Sequence, residues 1–136
     1  MAGIHTGRSA VANGNIRPSR AVMIDTTTDN RLIEATAAAR AIGISQKGTR
    51  NPPLTGLDDT YCAIADEVFM YYAAGEENVP AEIGGTVTAG DRLKVTTDGK
   101  LIATTADGDL FIAIARMGGQ SGDIIPVDVV IGQVAA

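Results

Sequence analysis

Few side chains in this 136-residue chain could do chemistry, and their spacing is poor for it. His5 is the only histidine and Cys62 the only cysteine, so one chain can build neither a zinc cage nor an internal disulfide. His5 stands in a Gly-, Ser-, Ala- and Asn-rich start with no Ser, Cys or Asp at a triad spacing. Cys62 lies in the apolar run Tyr61-Cys62-Ala63-Ile64-Ala65, where a small buried side chain is the ordinary occupant. Asp98, Asp107 and Asp109 could gather at one end of a sheet and attract calcium, but acidic residues are also the usual furniture of turns. Gly118 to Gly122 has the glycine density of a phosphate loop. It lacks the Gly-Lys-Ser/Thr ending and runs into an apolar strand, so no helix N-terminus would meet a phosphate. The expectation is a protein that is not an enzyme and uses no cofactor and no metal.

Composition narrows the classes further. The charge is −5 with a pI near 4.7, which disfavours direct nucleic-acid binding. The exception is the N-terminal segment, where Arg8, Arg17 and Arg20 precede the first acid, Asp25. No stretch reaches the length of a membrane span and no secretory leader pattern is present, which predicts synthesis in the cytoplasm without a membrane partner. Only five residues are aromatic, so Val, Ile, Leu and Ala must build the core. A small domain with small core residues gains from oligomerisation or from docking on a larger surface.

The elements that must carry these residues read as strands, and they read twice. Ile16, Val22 and Ile24 recur as Val87, Leu93 and Val95 at an offset of 71. Leu32-Ile33 recurs as Leu101-Ile102 at 69, and Ile42-Gly43-Ile44 as Ile112-Ala113-Ile114 at 70. The pattern predicts an all-β fold, a small β-barrel or sandwich built from two pseudo-repeated half-units, about 16–74 and 83–136. The halves are expected to pack about a pseudo-two-fold axis within one β domain, 16–136, with residues 1–15 as an extended N-terminal arm. Ala35 to Arg40 is helical on propensity alone, but its repeat partner carries the turn Asp107-Gly108-Asp109. Asp98-Gly99 between alternating segments predicts a type I′ hairpin with positive φ at both central residues. Pro126 inside the last strand suggests an edge or a bulge. Gly43 to Gly56, with Pro52 and Pro53, reads as a long connection without a counterpart in the second half, and long loops in compact domains often make contacts.

The run Gly85-Thr86-Val87-Thr88-Ala89-Gly90-Asp91-Arg92-Leu93, followed by Asp98-Gly99-Lys100, resembles the capsid decoration (cement) proteins of tailed bacteriophages. Phe111 to Ala115, Ser121-Gly122-Asp123 and Val127 to Ile131 continue the likeness, which is good over 83–132 and looser over 16–45, where Ser19-Arg20 replaces Gly-Asp. The resemblance implies a protein on the outer surface of an expanded icosahedral head, in the virion, that binds the major capsid protein and stabilises contacts between capsomers. It implies a homotrimer, with a dimer as the other form. Arg8, Arg17 and Arg20 in the N-terminal segment 1–20, with Arg50, Pro52 and Pro53 in the loop, are then the expected capsid-contact residues. Three other classes compete. A carbohydrate- or surface-binding β-module would normally display aromatic platforms, which are scarce here. A lipoyl- or biotinyl-like carrier domain would present Lys100 at a hairpin tip, but the residues flanking Lys100 differ from that family's. A trimeric β-enzyme would place its site between subunits.

Overall fold

The computed structural model describes residues 8–36, 41–46 and 63–134. Among these residues ten strands follow in chain order: β1 Arg8–Ala12, β2 Ala21–Ile24, β3 Arg31–Glu34, β4 Ala41–Ser45, β5 Val68–Ala73, β6 Val79–Glu82, β7 Arg92–Val95, β8 Leu101–Ala103, β9 Leu110–Ala115 and β10 Ile124–Gln133. The described residues contain no helix, so the fold is all-β as expected. The first five strands close a barrel in the order β1-β3-β2-β4-β5, and the second five form a sheet in the order β6-β10-β9-β7-β8.

These two orders are one topology. Replacing each of β1 to β5 by its counterpart in β6 to β10 turns the first cycle into β6-β8-β7-β9-β10. The remaining join, parallel β1–β3 at Val11–Arg31 and Ala12–Leu32, survives in the second half as a single parallel bridge, Ile83–Leu101. The repetition reaches individual hydrogen bonds. Ile16 and Ala63 exchange backbone bonds of 2.8 and 3.3 Å; Val87 and Gly119 do so at 2.9 and 3.0 Å. Ser19 N–H donates to Ser45 O as Gly90 N–H does to Ala115 O. Asn13 N–H donates to Leu32 O as Gly84 N–H does to Leu101 O. Left-handed residues fall at matching places too: Ser19 with Gly90, Asn30 with Gly99, Asp66 with Gly122. The repeat thus begins at β1, earlier than the residue 16 expected, because Ala12 and Ile83 occupy the same place beside Leu32 and Leu101.

Several expectations are corrected. Residues 8–12 belong to no free arm: β1 is hydrogen-bonded between β5 and β3. Gly43 does not open a loop; β4 runs through Ser45, with Ile44 and Ser45 fully buried. The Asp98-Gly99 hairpin is not type I′. Thr96 N–H donates to Lys100 O, Gly99 N–H donates to Thr96 O, and Gly99 alone has positive φ, at 82°. That is a three-residue loop ending in a left-handed glycine. Pro126 sits in an interior strand, since β10 lies between β6 and β9. Its neighbour across β6 is Pro80, and on the other side Arg116, just past β9, donates to its carbonyl at 3.0 Å. The missing donor therefore falls where the ladder is ending. The β10 irregularity lies farther on, between Val129 and Gly132.

Two cores result. Ala12, Ile16, Val22, Leu32, Ala63 and Phe69 fill the first barrel. The larger cluster gathers the interior of the second half, including Val79, Leu93, Leu101, Ile112, Val127 and Val129. It also takes in Ala21, Ala35, Ala41 and Ile44 of the first half, so apolar packing is continuous across the junction.

Candidate functional site

Among the described residues, a cluster of charged groups lies where the halves meet. Arg17 grips Glu34 in a fork, Nε to Oε2 at 3.0 Å and Nη2 to Oε1 at 2.9 Å, while its backbone N–H also donates to Oε2 at 2.6 Å. Hydrogen bonding to Glu34 raises the Arg17 pKa above its ordinary value. Nη2 of Arg17 further reaches the Asp98 carbonyl at 3.3 Å. Arg20 lies deeper, with a side chain only 7% exposed. Its Nη1 donates to Asp98 O at 2.8 Å and its Nη2 to Glu82 Oε2 at 3.3 Å. Lys100 Nζ reaches the same Glu82 oxygen at 3.4 Å. A buried guanidinium needs such partners, because an unpaired charge out of water is strongly unfavourable.

Backbone bonds complete this junction. Ala21 N–H donates to Gly99 O at 2.9 Å and Glu82 N–H donates to Ser19 O at 2.9 Å. A two-fold pairing of halves would repeat each contact with the roles reversed. The reversed counterparts, Arg92 with Asn30 and Gly90 with Val11, are not made among the described residues. The expected pseudo-two-fold packing is thereby corrected at these bonds: the junction is asymmetric there.

The expected contact residues separate on this geometry. Arg8 is exposed at the start of β1, opposite Tyr71. Arg17 is about a third exposed beside Glu34. Arg20 is committed inside the molecule and offers no free cation to a partner. Arg50, Pro52 and Pro53 lie outside the described residues. Lys100 does not stand free at a hairpin tip as a carrier lysine would, being one quarter exposed and paired with Glu82. The three turn aspartates do not converge. Asp98 accepts from Thr96 Oγ1, while Asp109 accepts from Thr104 Oγ1 at 2.6 Å and Lys94 Nζ at 3.1 Å. Among the described residues no three acidic, His or Cys side chains gather as metal ligands.

Sequence reasoning missed the exposed apolar side chains. Val68 and Ile124 hold equivalent positions at the starts of β5 and β10, each 59% exposed. Val130 and Ile131 project at the β10 irregularity, 41% and 47% exposed. Alternation alone would have buried one of that pair; the register shift brings both to the surface.

Comparison with known proteins adds to this geometry. No family model and no curated protein matches the sequence. Among solved structures, the chain matches the N base of the head fiber gp8.5 of bacteriophage phi29. The TM-score is 0.58 at 14% identity, over 96% of this chain and 98% of that one. The likeness therefore spans nearly the whole of both chains and shows a shared fold.

Proposed function

We propose that this chain is a non-enzymatic structural protein of a bacteriophage head, a decoration protein carried on the outer surface of the shell. The observation that carries the reading is the end-to-end agreement in fold with the phi29 head fiber base, 96% of one chain on 98% of the other. The resemblance of residues 83–132 to capsid decoration proteins supports it independently, since it rests on turn motifs and not on backbone shape.

In this reading the partner is the major capsid protein, and the chain bridges neighbouring capsomers as a homotrimer. Binding only the expanded lattice stabilises that lattice by mass action. Oligomerisation makes several modest contacts act together, so a repeating surface is held more tightly than by one copy. Residues 1–8, ending in exposed Arg8, and the connection from 46 to 62, with Arg50, Pro52 and Pro53, are the proposed contact elements, with Arg17 at their edge. An acidic protein surface would suit the three arginines.

The test is rebinding of purified protein to expanded capsids that lack it, with copies counted per shell. Saturable binding at a whole-number ratio to capsomers supports the reading, and absence of binding to expanded shells removes it. Light scattering of the free protein decides trimer against dimer.

A further inference from the structure

The two halves share one topology, yet only the first closes its barrel directly. In the first half β1 and β3 pair at Val11–Arg31 and at Ala12–Leu32. The second half keeps the counterpart of the latter, Ile83–Leu101, but loses the counterpart of the former, which would be Glu82–Lys100. At that missing rung the Glu82 N–H turns to Ser19 O and the Gly99 carbonyl accepts from Ala21 N–H, each at 2.9 Å. Both backbone groups of the seam are therefore diverted to one turn of the first half.

Between Ser19 and Ala21 stands Arg20, whose guanidinium touches both sides of the seam, Glu82 from the β6 side and Asp98 O from the β7–β8 hairpin. The turn is held from behind as well. Arg20 N–H donates to Ser45 Oγ at 3.1 Å, and Ser45 Oγ donates to Arg17 O at 2.6 Å. Ser19 adopts a left-handed φ of 60°; its carbonyl faces the seam while the amide of the same peptide unit, Arg20 N–H, faces back to Ser45, and Ala21 N–H is the amide that reaches the seam. The same turn in the second half, Gly90-Asp91-Arg92, carries an acid where Arg20 stands and an arginine where Ala21 stands, and it is not inserted into anything described.

We propose that Ser19-Arg20-Ala21 is a latch: the first half supplies the missing rung of the second barrel, and the β6–β8 seam stays shut only while that turn is seated. The dependence runs one way, because the first barrel closes its own β1–β3 seam and, among the described residues, receives no turn in return. Anything that grips the first half and shifts this turn would loosen the second half at Glu82 and Gly99 before any other part.

Residue-resolved hydrogen exchange on the full chain tests this, comparing the wild type with Arg20→Ala. The expected result is at least about a tenfold loss of protection at the Glu82 and Gly84 amides, which donate to Ser19 O and Leu101 O, since charge-assisted bonds are among the stronger ones. The matching first-half amides, Val11 and Asn13, keep theirs, and Asp91→Ala at the equivalent turn leaves the seam unchanged. Should Arg20→Ala fail to fold, Glu82→Gln decides, with a smaller loss confined to the same amides. Equal loss in both halves, or no loss at the seam, would overturn the latch.

Discussion

Gly43 shows how tightly a single position is held. A Cβ there would lie 2.2 Å from the Tyr72 carbonyl oxygen and 2.8 Å from the Tyr71 ring. The first contact is with backbone and cannot rotate away, so Gly43→Ala should destabilise the protein by about 1–3 kcal/mol or more in denaturant unfolding. Gly90 is the contrast. Its φ is +92°, but a Cβ would meet nothing within 4 Å, so Gly90→Ala carries only the left-handed penalty of about 1–2 kcal/mol. A larger loss at Gly90 than at Gly43 would contradict the packing described. Acid sensitivity also belongs to single residues. Hydrogen bonds hold four carboxyls below the ordinary aspartate value of 3.8: from Thr27 to Asp25, Thr96 to Asp98, Thr104 to Asp109 and Arg116 to Asp128. A lowered folded pKa gives stability that is fully present above the unfolded value and is lost as pH falls through the folded ones. Melting temperature should therefore hold from neutrality to about pH 5 and drop steeply below pH 4. Asp128→Asn should flatten that drop.

At the scale of elements, β1 changes what truncation can do. Removal of residues 1–15 takes away a strand that pairs with both β5 and β3, together with buried Ala12. The first barrel should then fail to close, read as loss of the native circular dichroism and a broadened amide spectrum. Removal of residues 1–7 should leave the fold intact and weaken capsid rebinding, which separates the proposed contact from the scaffold. The β7–β8 hairpin makes a second case. A Cβ at Gly99 would stand 3.3 Å from Arg20 Cβ and 3.4 Å from the Ala21 carbonyl, at φ +82°. Gly99→Val should thus harm both the turn and the junction, while Asp98→Ala keeps the fold, because the groups that Arg17 and Arg20 use are on the Asp98 backbone. Thermal unfolding of the two variants should differ by several degrees.

Over the whole molecule, two like halves behave as one body. The larger core crosses the junction through Ala21, Ala35, Ala41 and Ile44, beneath the Arg20 contacts. Unfolding should be a single transition, with calorimetric and van't Hoff enthalpies agreeing; two resolved transitions would mean that the junction is weaker than its packing implies.

The sequence by itself determined the strand class, the duplication and most strand positions. Those depend on local alternation and turn residues, as in Arg92-Leu93-Lys94-Val95, whose Leu93 and Val95 are buried as the period of two requires. It also determined the absence of a triad spacing and pointed to a decoration-like turn pattern. Only the tertiary structure decided that β1 is barrel and not arm, that Arg20 is buried, and that the bonds of the junction run one way. Each of these depends on what a residue meets far along the chain: Arg8 to Val11 on β5, Arg20 on Glu82 and Asp98. Two turns with the same local pattern, Ser19-Arg20-Ala21 and Gly90-Asp91-Arg92, end in opposite environments, because the seam one of them fills is formed by strands some sixty to eighty residues away.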